Sequence, residues 1–176
     1  MSKNTITLLL SALLFTGKNA FAQSSQGWKT LDEKGYSIKY PYDWTMDNNG
    51  AYGTAFLLLS PKSSGSDRFQ ENINLVSQDV SEYGLDLDAY MELSFGQLRQ
   101  LATNFHIIST DKIKNAAHPY YKLIYTMDQG HFNLQLEQLY WVVNKQAYVL
   151  TFTCEVDAFE AYQEIGEKIM KTFVLK

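Results

Sequence analysis

The sequence predicts an α+β fold, a largely antiparallel β-sheet with one helix midway along the chain and a second at its C-terminal end. Three observations carry this reading. Apolar residues alternate at period two over much of the chain. Two stretches, near residues 86–105 and 157–173, switch to steps of three and four. The strand-like runs of the second half are joined by very short polar connections, which suit antiparallel neighbours.

In chain order, Tyr36, Ile38 and Tyr40 alternate with Ser37 and Lys39, giving a strand with one buried face. Pro41 has no N–H to donate and closes it. Asp47, Asn48, Asn49 and Gly50 form a turn cluster. Residues 55–60, "AFLLLS", read as a strand buried on both faces, and residues 71–80 as another, alternating through Ile73 and Leu75. A serine- and glycine-rich loop, residues 61–68, joins them.

The first helix is expected over residues 86–105. Leu87, Met91, Ser94, Leu98, Leu101 and Phe105 share one face, and Asp86 caps the first turn. Gly96 lies inside this helix and is read as tolerated there. Four strands follow: 107–113, 120–127, 132–144 and 146–152. The third changes phase: Leu134 and Leu136 point one way, Leu139, Trp141 and Val143 the other. Either a bulge lies near Glu137 and Gln138, or opposite faces are covered at the two ends of the strand. The last helix opens with Asp157 as acceptor and Glu160 as its capping partner. Phe159, Tyr162, Gly166, Ile169 and Phe173 mark its buried stripe, with Gly166 suited to close packing on the sheet.

The first residues read as an export signal. Lys3 precedes the apolar run of residues 6–15, too short for the about 20 residues a bilayer span requires. Ala20, Phe21 and Ala22 then give a small-bulky-small cleavage pattern before Gln23. The expected division is therefore a signal peptide at 1–22, a polar arm at 23–27 and a single domain at 28–176. Gln23 in place of cysteine excludes a lipid anchor at that site, so a periplasmic or secreted product is expected. The formal net charge of −4 becomes more negative by two when Lys3 and Lys18 leave with the signal. An acidic domain without a basic run is a poor partner for nucleic acid or anionic lipid. One cysteine, Cys154, allows no internal disulfide and reads as a small buried hydrophobe at the end of a strand.

Several motifs recur in a recognisable order. Gly35, Tyr36, Ile38, Tyr40, Pro41 and Trp44 form the early pattern, followed by Ser60-Pro61 and the "ENINLV" strand from Glu71 to Val76. After the middle helix come hairpins, then "YVLTFTC" from Tyr148 to Cys154, Phe159 with Tyr162, and Ile169 with Phe173. From about Trp28 to Phe173 this resembles the PsbP, Mog1p and DcrB-like group, α/β/α sandwiches of the Mog1p/PsbP-like fold. The resemblance implies an accessory, assembly or binding module. Known members include an extrinsic photosystem subunit, a binder of a small GTPase and escorts of toxin segments. The metal ligands of the photosystem member find no match here, and the export signal argues against the two cytoplasmic roles.

Little in the sequence suggests catalysis. His118 and His131 bracket a nine-residue strand, about 3.3 Å per residue, and so stand roughly 30 Å apart. No Gly-x-Ser-x-Gly elbow and no glycine-rich phosphate loop occurs. Glu82, Asp86 and Asp88 lack calcium-loop spacing and suit a helix N-terminus. No catalytic residue, metal ligand or cofactor is expected. The twelve tyrosines leave a choice at the N-terminal corner. The rings of Tyr40 and Trp44 read as packing, while Tyr42 and Tyr52 are the candidate exposed contacts for a ligand or partner. The expected function is a non-catalytic extracytoplasmic module binding an envelope or secreted protein or peptide. The alternative is a binder of a sugar, lipid or apolar metabolite, with a hydrolase of unfamiliar type third.

Overall fold

The computed structural model describes residues 27–65 and 67–176. The expected signal peptide and all but the last residue of the polar arm lie outside the described residues.

The chain forms, in order, β1 (Trp28–Asp32), β2 (Tyr36–Pro41), β3 (Thr45–Asp47), β4 (Phe56–Leu59), β5 (Asn72–Asp79), α1 (Leu87–Leu101), β6 (Thr103–Ile113), β7 (Tyr120–Gln129), β8 (Phe132–Val143), β9 (Gln146–Glu155), α2 (Phe159–Lys171) and β10 (Val174–Leu175). Seven strands make one antiparallel sheet in the order β3-β4-β5-β9-β8-β7-β6. β1, β2 and β10 form a second, smaller sheet. The α+β expectation holds: a large antiparallel sheet carries one helix on each face.

The two faces have separate cores. On the α1 side Tyr90, Met91 and Leu98 pack on Leu123, Tyr125, Leu134, Leu136 and Tyr140. On the α2 side Ile169 and Met170 join Ile73, Leu139, Trp141, Leu150 and Phe152, with Ile38, Tyr40 and Trp44 contributed by the β2 region. This division explains the phase change in β8. Its register with β7 and β9 runs without a shift, so no bulge is present. Leu134 and Leu136 meet α1, while Leu139 and Trp141 meet the α2-side core.

Local chemistry sets the joints. Asp86 caps α1, its Oδ1 accepting from the Ala89 N–H at 2.9 Å. Asn144 and Lys145 both take positive φ, 51° and 64°, in the two-residue turn between β8 and β9. At Gly166 an added Cβ would lie 2.6 Å from the Phe152 ring, so α2 meets β9 as closely as glycine allows. Gly96 meets nothing within 4 Å and is simply tolerated.

Several expectations are corrected. α1 stops at Leu101, and Phe105 belongs to β6. Asn104, at φ 52°, turns the chain, so Phe105 packs on Phe95 and Tyr125 from the sheet, and Leu101 is left exposed. Asp157 does not cap the last helix. It lies in a short 3-10 turn, Val156–Ala158, and α2 begins after Ala158 without a side-chain cap. Phe173 lies beyond the helix end and enters the core from there. β9 runs on to Glu155, three residues further than expected, and Cys154 is its next-to-last residue. β1, β3 and β10 are too short or too mixed to stand out by periodicity; pairing to β2 and β4 defines them.

Among the described residues β6 pairs only with β7, which leaves its outer backbone edge unpaired among them. Register shifts interrupt it between Thr103 and His106 and between Ile107 and Ser109.

Candidate functional site

The N-terminal corner is packing. Tyr40 and Trp44 are buried in the α2-side core. Tyr36 stacks with Phe173 at 6.0 Å between ring centroids and meets Phe56 at 5.8 Å. Pro41 ends β2, and its carbonyl accepts from the Trp44 N–H at 3.2 Å, which turns the indole inward.

Tyr42 and Tyr52 are both exposed, at 54% and 48%. They flank opposite ends of β3. Tyr42 lies under the Lys29 ammonium, 4.1 Å from the ring centroid, a cation–π contact on the first hairpin. Tyr52 takes φ 55° between Gly50 and Gly53, a conformation that bulky side chains seldom adopt. Neither tyrosine lines the cleft described next.

That cleft lies where α2 leaves the sheet. α2 packs over β9 and against β2. On the same side, Tyr120, Lys122, Ile124 and Thr126 of β7 are only half-buried, and β6 beyond them is mostly exposed. A cavity of about 260 Å³ opens at this border. Its aromatic wall is Tyr120, Trp141 and Phe173, with centroid separations of 5.3 Å from Trp141 to each neighbour. Its polar groups are two ion pairs. Lys122 Nζ lies 2.9 Å from Glu137 Oε1, and Lys171 Nζ lies 3.0 Å from Glu167 Oε2. Hydrogen bonds from Lys171 and Gln163 hold the Glu167 carboxyl below its ordinary range.

The sequence reading missed Lys122 and Glu137. The available signal was a carboxylate in the middle of a long apolar strand, at the position of the phase change. Glu137 is 6% exposed. A carboxylate that deep needs a cation, and β7 supplies one from the neighbouring strand.

The family model for PsbP-like proteins matches residues 18–175. The chain belongs to the PsbP-like protein family. No curated protein matches this PsbP-like chain by sequence. Solved structures share its fold at low identity. A Pseudomonas aeruginosa protein of unknown function aligns with TM-score 0.61 and 13% identity, over 86% of this chain and 99% of its own. Cyanobacterial PsbP (CyanoP) from Synechocystis gives 0.59 and 13%, over 90% and 98%. LpqN of Mycobacterium tuberculosis, involved in cell envelope biogenesis, gives 0.61 and 10%, over 86% and 92%.

Elsewhere in this PsbP-like domain a second polar group is sealed inside. Glu71 is 3% exposed. Its Oε2 accepts from the Ser60 hydroxyl at 3.3 Å and its Oε1 from the Cys154 thiol at 3.8 Å. Burial pushes the Glu71 carboxyl up. Burial and the adjacent Glu71 push the thiol up as well, so it stays protonated. Tyr162 of α2 closes the group, its phenol pushed up to about 12 by burial. His106 and His131 are exposed and His118 is half-buried. Among the described residues no three histidine, cysteine or acidic side chains converge as a metal site would require. Among them, too, no helix is long and apolar enough to cross a membrane.

Proposed function

We propose that this PsbP-like chain is a non-catalytic extracytoplasmic accessory module that binds a protein or peptide partner on the α2 side of β6 and β7. The observation that carries the reading is the uneven cover of the sheet. One face of β7 is buried under α1, while the other, beside α2, is half-open and bordered by the cleft. Cavities that enclose a small molecule run to about 300–1,000 Å³. At about 260 Å³, this one suits a single side chain from a larger partner better than a whole metabolite. The protonated, buried Cys154 and its acidic neighbour, in place of an imidazole, support a non-catalytic role. The extracytoplasmic setting rests on the leader-like residues 1–22, and LpqN offers a fold relative in envelope biogenesis.

Site-specific photo-cross-linking in envelope preparations tests this. A photoreactive residue at Ser109, on the open side of β6, is expected to give a discrete adduct. The same residue at Gln100, exposed on α1, is expected to give none. Equal labelling from both positions, or none from Ser109, would exclude this surface as the docking face.

A further inference from the structure

We propose that the cleft beside α2 receives an arginine side chain of the partner, its guanidinium held by Glu137 and stacked on the aromatic wall. This rests on the partner-binding reading and adds the residue type that is recognised.

Depth is the first argument. The Glu137 side chain is 8% exposed, against 30% for Lys122 and 74% for Lys171. The two cations stand towards the mouth and can turn into water; the carboxylate cannot. The deepest charged group of the cleft is therefore a carboxylate.

Acceptor capacity is the second. An ionised carboxyl offers about four lone-pair positions. The ion pair to Lys122 runs through Oε1, so a guanidinium fork can share the group.

Charge balance is the third. Asp111 is the cross-strand partner of Lys122, and Glu167 also feels the Lys122 charge. Both carboxylates lie on the side to which Lys122 would turn when an incoming cation takes Glu137, although Glu167 already accepts from Lys171 and Gln163. The cleft lining itself balances two carboxylates with two lysines, so Asp111, outside the lining, is the added negative charge beside Lys122. An acidic side chain could pair with the lysines at the mouth but would be repelled by Glu137 further in. An ammonium lacks the plane that stacks on Trp141 and the fork that matches a carboxylate.

The test uses the full chain labelled with nitrogen-15, read at the Trp141 indole N–H. The probes are acetyl-Gly-Arg-Gly-amide and its lysine and glutamate counterparts. The arginine peptide is expected to give a saturable shift and to bind about tenfold more tightly than either other peptide, one charge-assisted fork being the difference. Glu137→Gln keeps the shape and is expected to remove that preference. Lys171→Glu, at an exposed position, is expected to strengthen the arginine response, with the fold of the variant checked by the dispersion of its nitrogen-15 spectrum. Equal response to arginine and lysine, preference for glutamate, no saturable shift, or weaker arginine binding in Lys171→Glu would each overturn the inference. Cross-linking from Ser109 is read separately. If it succeeds while the peptides fail, the arginine assignment falls and the docking face stands.

Discussion

Glu71 shows how one buried group sets a pH dependence. Its carboxyl has a hydroxyl and a thiol as neighbours, and desolvation raises its pKa in the folded state. The folded protein then holds this proton more tightly than the unfolded chain. The stability it contributes is full below the unfolded value of 4.5 and is lost as pH rises through the raised folded value. Glu71→Gln keeps the hydrogen-bonding shape without the charge. It is expected to raise the urea midpoint at neutral pH and to flatten the loss of stability between acid and neutral pH. An unchanged or lower midpoint at neutral pH would show that the carboxylate is comfortably solvated. Glu71 opens the motif "ENINLV", yet its burial is not legible there, because a polar residue at a strand's start normally meets water. Its sealing depends on Cys154, 83 positions later, and on Tyr162 of α2. Glu137 escaped the sequence reading for the same reason: its cation lies on another strand.

Among the elements, two helical glycines separate propensity from packing. Each sits inside a helical pattern and, by propensity alone, costs about 1 kcal/mol against alanine. Gly96 meets nothing, so Gly96→Ala is expected to stabilise by up to about 1 kcal/mol. Gly166 lies against Phe152, so Gly166→Ala must displace that ring or lift α2, and is expected to destabilise by about 1–3 kcal/mol. Denaturant midpoints of the two variants should therefore move in opposite directions, and shifts of the same sign would contradict the packing seen at α2. The period-two strands, both helices and the phase change of β8 were legible because they reflect which faces are buried. The end of α1 was not. Leu101 and Phe105 continue the helical spacing, and only the left-handed turn at Asn104 and the pairing of β6 with β7 redirect the chain.

At the scale of the molecule, Cys154 reports on how the layers come apart. It is fully buried in β9, which lies between β5 and β8, and beneath the α2-side core. Its thiol is expected to react with an alkylating reagent only when the whole sheet opens. The labelling rate should then rise with urea on the slope of global unfolding. Rapid labelling without denaturant would mean that α2 detaches by itself. The layered α+β arrangement and antiparallel hairpins were readable from spacing and turn chemistry. The placement of β5 beside β9, and with it the border where α2 leaves β7 open, was not, because strands distant in sequence carry no local mark of their pairing. The outer margin of β6 has a consequence of its own. A long free strand margin invites like chains to stack into fibrils. The two irregularities in β6 break that margin, leaving Ser109 to Ile113 as its longest straight run, shorter than the six or so residues from which such stacks are built. Such breaks work against edge-to-edge stacking of copies along this margin.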